Sequence, residues 1–78
     1  MNETKFIDFI KKSLQEKDQL IEIDTRLKDI KKWDSLASVR VLLELSNKLN
    51  KKFEINDIVN FKDLRELYKY FTDTKYKK

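Results

Sequence analysis

Cysteine, histidine, glycine and proline are all missing from this 78-residue chain. With neither Cys nor His, no disulfide and no zinc site of the usual kind can staple so small a domain. The same absences remove the commonest general base and the strongest side-chain nucleophile. Without glycine there is no phosphate-cradling loop of the usual sort. The acids form no convincing carboxylate pair and show no metal-ligand spacing. No apolar run approaches the ~20 residues a membrane-spanning helix needs, and Met1-Asn2-Glu3-Thr4 lacks the charged-then-apolar order of a signal peptide. The expectation is a single, soluble, cytoplasmic, monomeric domain over 1–78, with no metal and no catalysis of its own.

What the chain does have is charge and helical period. The net charge is +4, and 41% of the residues are charged. Acids and bases balance up to Asp34; the excess lies beyond it, much of it in Lys75-Tyr76-Lys77-Lys78. A basic balance raises a nucleic-acid reading, a small helical module whose binding weakens steeply with salt. Here the lysines are interleaved with acids and form no stripe, so a solvated surface accounts for them better.

Phe6, Phe9, Ile10 and Leu14 fall on one face of a helix from Thr4 to Leu14 or Gln15. Glu16 to Trp33 has no sustained period. Its scattered apolar residues, Leu20, Ile21, Ile23, Leu27, Ile30 and Trp33, read as pegs of a long packed loop, with Thr25 placed to cap a short turn. A second helix runs from Asp34 or Ser35 to about Leu49. Val39, Leu42, Leu45, Ser46 and Leu49 are its expected core face, with Val41 at the edge. Leu36, Arg40, Leu43 and Asn47 form a more exposed row, whose two leucines either make a small contact patch or merely flank the core.

Breaks must come from residues other than glycine, and Asn50 is the expected stop of the second helix. Asn56 is placed to cap a short turn through Ile58 and Val59. A last helix begins near Lys62 or Asp63, with Phe61, Leu64, Leu67, Tyr68 and Phe71 inward. Residues 73–78 continue no apolar period and read as a frayed tail around a core of about 4–72. The sum is an all-α, small four-helix bundle with a short third helix and a long first loop.

One stretch is not generic: Lys32-Trp33-Asp34-Ser35-Leu36-Ala37-Ser38-Val39. Asp34 is a favoured N-cap, which places Ser35 on the first helical turn, where free N–H groups and the helix dipole favour an anion. Asp34-Ser35-Leu36, the first-helix pattern, the loop Ile23-Asp24-Thr25-Arg26-Leu27-Lys28-Asp29-Ile30 and the closing Asn60-Phe61-Lys62-Asp63-Leu64-Arg65-Glu66-Leu67-Tyr68 together resemble the acyl carrier protein family. The resemblance spans about Phe6 to Phe71. In that family a long loop precedes a serine that bears a 4′-phosphopantetheine arm.

The resemblance implies that Ser35 is the attachment residue and that Asp34 assists the phosphopantetheinyl transferase, at its magnesium ion, as well as capping. It implies that Leu36 lies in the partner-contact patch; Arg40 and Leu43 share its row. It also implies an acyl or aminoacyl cargo held as a thioester, a loading ligase and downstream transferases. Trp33 stands where many carriers of primary metabolism have a small residue. Fatty-acid carriers present carboxylates on the second helix, whereas this chain has Ala37 and Arg40 at such positions, and Glu44 is the only acid from Ser35 to Leu49. The expectation is therefore a dedicated biosynthetic pathway. The alternatives are the basic nucleic-acid module and a carrier-like interaction domain that is never modified.

Overall fold

A computed structural model describes residues 1–72. Four α-helices occur in chain order: α1 (Glu3–Leu14), α2 (Ser35–Leu49), α3 (Ile55–Ile58) and α4 (Leu64–Thr72). A single 3₁₀ turn, Leu27–Asp29, interrupts the long first loop. The all-α, acyl-carrier-like bundle expected from the sequence is what forms. The tail expected to fray, 73–78, lies outside the described residues. No helix among the described residues is long and apolar enough to cross a membrane.

Each long helix starts on a side-chain cap. Asn2 Oδ1 accepts the Lys5 N–H at 2.8 Å, and Asp34 Oδ1 accepts that of Ala37 at 2.8 Å. Asp63 Oδ1 accepts the Glu66 N–H at 3.0 Å, while Glu66 returns a carboxylate oxygen to the Lys62 N–H. The first two helices end in the left-handed conformation that glycine usually supplies: Gln15 at φ 56° and Asn50 at φ 52°. Asn50 is the stop the sequence predicts. Gln15 was not expected, since Asn and Asp tolerate this region better. At Gln15 the Glu16 N–H bonds Lys11 O at 2.8 Å and its own N–H bonds Lys12 O, a Schellman arrangement that satisfies the open carbonyls. The Lys32 ammonium adds a bond to Gln15 O at 2.6 Å.

The core gathers Phe6, Ile10 and Leu14 from α1, Val41, Leu42 and Leu45 from α2, Ile58 from α3, and Leu64, Leu67, Tyr70 and Phe71 from α4. Ile21, Leu27 and Ile30 peg the loop into it. Several expectations need correction. Val41 is fully buried and Val39 is 42% exposed, so α2 is turned relative to its predicted face. Tyr70 is buried, while Tyr68, Phe61 and Phe9 are only half-buried. The cap before α3 is Glu54, which makes no side-chain bond, and Asn56 sits inside the helix.

Side chains fix the loop's backbone. Thr25 Oγ1 accepts the Glu22 N–H at 2.7 Å, closing the turn behind it instead of capping the 3₁₀ turn ahead as the sequence suggests. Gln19 donates its amide to Asp29 O at 2.7 Å and accepts the Lys31 N–H at 2.9 Å, bracketing buried Ile30. Glu16, only 8% exposed, accepts the N–H groups of Asp18 and Gln19, both at 3.0 Å.

The Gln19 and Asp18 N–H groups hold the Glu16 carboxyl below the usual carboxylate range, and Lys32 and Lys31 add to the effect against partial desolvation. A carboxyl lowered in the folded state stabilises above its unfolded pKa, and that contribution disappears as pH falls through the folded one. Glu16→Gln is therefore expected to lower the urea midpoint at pH 7. The gap from the parent should close as the pH falls below the carboxylate range. A gap independent of pH would show that the charge of Glu16 contributes nothing.

Candidate functional site

Asp34 is extended (φ −127°, ψ −175°), and α2 begins at the next residue. One carboxylate oxygen is committed to the Ala37 N–H, and its carbonyl accepts the Ser38 N–H at 2.8 Å. The amides of Ser35 and Leu36 are left at the open end of the helix with no partner inside it. Ser35 is exposed, and its hydroxyl has no hydrogen bond among the described residues; its carbonyl accepts the Ser38 hydroxyl at 2.9 Å. A free hydroxyl thus stands beside two open N–H groups at the positive end of a 15-residue helix.

Ser35 also lies on the wall of an apolar cleft of about 440 Å³ between the loop, α2 and α3. Leu42, Ile58 and Leu27 form its inner wall; Val39, Ile55 and Val59, all substantially exposed, form its rim. Trp33 and Phe61 complete the lining with Ser38 and Lys28, the last its single charged residue. The far wall is α3, four residues long and uncapped, which needs tertiary support. Buried Ile58 supplies part of it. Tyr70 supplies the rest: its hydroxyl accepts the Glu54 N–H at 3.1 Å and donates to Asp57 Oδ2 at 3.3 Å.

The other predicted site residues share one outward row. Leu36 is 85% exposed and Leu43 53%. Arg40 lies between them, but its guanidinium reaches back to Ser13 O at the end of α1, at 2.7 Å. Glu44, the lone acid of α2, accepts the Ser13 hydroxyl. Both charges are engaged with α1, and Leu36 and Leu43 stand exposed beside them.

Sequence reasoning did not identify the cleft. Ile55 and Val59 are four residues apart and so share a face. That pairing was a usable sign that α3 turns an apolar edge away from Ile58. Among the described residues, no group of three or more His, Cys, Asp or Glu could hold a metal ion.

A phosphorylated organic arm on a serine needs an accessible hydroxyl, a setting that tolerates the phosphate charge, and a surface along which the arm can lie. Ser35 and the cleft meet all three requirements. Over residues 5–71 the chain matches the family model described as the phosphopantetheine attachment site. No curated protein and no solved structure matches it.

Proposed function

This chain belongs to the phosphopantetheine-attachment family, the carrier domains of acyl carrier proteins, and we propose that Ser35 is the residue that bears the arm. The carrying observation is the free Ser35 hydroxyl at the first turn of α2, beside an apolar cleft. When bound, 4′-phosphopantetheine supplies a terminal thiol that holds an acyl group as a thioester. The protein's own residues do the rest. Asp34 fixes the helix start, and its second carboxylate oxygen is left to serve the transferase's magnesium ion. The cleft offers the arm and its cargo an apolar surface.

Leu36 and Leu43, with Arg40 between them, form the surface we assign to the transferase and to the enzymes that load and unload an acyl or aminoacyl group. Arg40 contributes there mainly as a brace, since its guanidinium is held by Ser13 O. That engagement also weakens the nucleic-acid alternative, because Lys48 is the only other cation on α2.

Incubation with coenzyme A, magnesium and a broad-specificity phosphopantetheinyl transferase tests the reading by intact mass. A gain of one phosphopantetheine is expected; a folded sample that gains nothing with several transferases overturns it.

Partner choice follows from charge. Enzymes that steer toward an acidic helix find one acid on α2, already engaged with Ser13. We therefore assign the carrier to a dedicated pathway. Its loaded form is expected to couple at least about tenfold less efficiently to fatty-acid elongation enzymes than an acidic carrier does, a difference of ~1.4 kcal/mol. Equal coupling in a steady-state assay would defeat that assignment.

A further inference from the structure

We infer that Lys28 is the positioning residue for the phosphodiester that Ser35 bears, an inference that rests on Ser35 being the attachment residue. Lys28 projects from the 3₁₀ turn Leu27–Asp29 and lines the same cleft as Ser35. It is the only charged residue in that lining. Several other cations have other work, while Arg26 and Lys62 line a neighbouring hollow and not this cleft. Lys32 donates to Gln15 O and, with Lys31, faces Glu16. Arg40 donates to Ser13 O, and Arg65 pairs with Asp24 and Glu3. Lys28 makes no ion pair and no hydrogen bond through its side chain among the described residues.

An anion placed on Ser35 therefore shares the cleft with Lys28, the one cation of its lining, together with the open N–H groups of Ser35 and Leu36 on its own side. An ammonium on a flexible stem suits this task, because it tracks a phosphate without a fixed bidentate geometry. Engaging it would draw the 3₁₀ turn and the first turn of α2 together over the start of the arm. Lys28 then orients the arm along the apolar wall instead of leaving it to swing freely from Ser35. The turn is well placed for this role. Gln19 already clamps Asp29 O, and the Leu27 N–H is tied to Lys62 O at 2.9 Å.

The experiment compares unmodified and modified forms of the parent, Lys28→Ala, Lys28→Glu and Lys28→Arg. Intact mass shows that each carries one arm, and amide ¹H–¹⁵N spectra read the response. On modification, the parent is expected to shift at Leu27, Lys28 and Asp29 as well as at 34–38. The shifts at 27–29 should be lost in Lys28→Ala and Lys28→Glu, kept in Lys28→Arg, and shrunk in ~1 M salt, where the Debye length is about 3 Å. Shifts confined to 34–38 in the modified parent overturn the inference, as do shifts at 27–29 that survive in Lys28→Ala. A parent that takes up no arm overturns the reading of Ser35 itself, and the mass spectrum separates that failure from the other two.

Discussion

Ser35→Ala is expected to take up no phosphopantetheine under conditions in which the parent gains one, and to melt within about 3 °C of the parent. Both halves of that expectation come from the same geometry. The hydroxyl is exposed and bonds nothing among the described residues, so its removal costs the fold little. The backbone of Ser35 keeps its place because Asp34 and the Ser38 hydroxyl hold the first turn without it. Ser38 provides the discriminating control. It is the only other hydroxyl in the cleft lining, but it is half-buried and donates to Ser35 O. Ser38→Ala should therefore still load. Asp34→Ala leaves the nucleophile in place and removes the cap, at a cost of about 1 kcal/mol and a melting point lower by roughly 4–8 °C. Loading of Ser35→Ala to the parent's extent would move the attachment to another hydroxyl.

The sequence's legible parts were those decided within a few residues. Asp34 announces the start of α2 because a cap needs only its own carboxylate and the next turn's amides. Asn50 announces its end because few residues other than glycine accept φ near 50°. Ser35 and the row of Leu36, Arg40 and Leu43 follow directly from that start. The parts that failed depend on neighbours distant in sequence. Tyr70 was not among the residues expected inward, because its partners, Glu54 and Asp57, lie on another element. Thr25 looked like a forward cap, but the chain turns behind it. Arg40 lies on the exposed row as expected, but its bond to Ser13 O was not foreseen, since only the packing of α1 against α2 brings that carbonyl within its reach. The cleft is invisible locally, since it needs the loop, α2 and α3 in place at once.

The buried arc of α2 holds Leu42 and Leu45 as expected but takes in Val41 instead of Val39, and that exchange gives the sharpest stability test. Val41→Asp is expected to leave the chain unfolded at 25 °C, whereas Val39→Asp should fold with a melting point near the parent's. α2 carries apolar residues around much of its circumference, including Leu36, Val39, Val41, Leu42, Leu43 and Leu45. Periodicity alone therefore does not fix which arc faces inward. Contact with α1 and α4 fixes it. Val41 is 0% exposed and belongs to the hydrophobic core cluster. A lone carboxylate there faces a penalty of several kcal/mol, or must take up a proton to avoid it. A domain of this length has only about 4–12 kcal/mol in total, and this one has no disulfide to add to it. Val39, at 42% exposure, keeps an introduced carboxylate in contact with water at the cleft rim. Far-UV circular dichroism with thermal melts decides the matter. The reverse pattern would mean that α2 is turned back toward its predicted face, by about 60° at 3.6 residues per turn, with Leu42 and Leu45 still inward. That rotation would bury Val39, a residue of the cleft rim, and so change the cleft beside Ser35. The two aspartates therefore test the site as well as the packing.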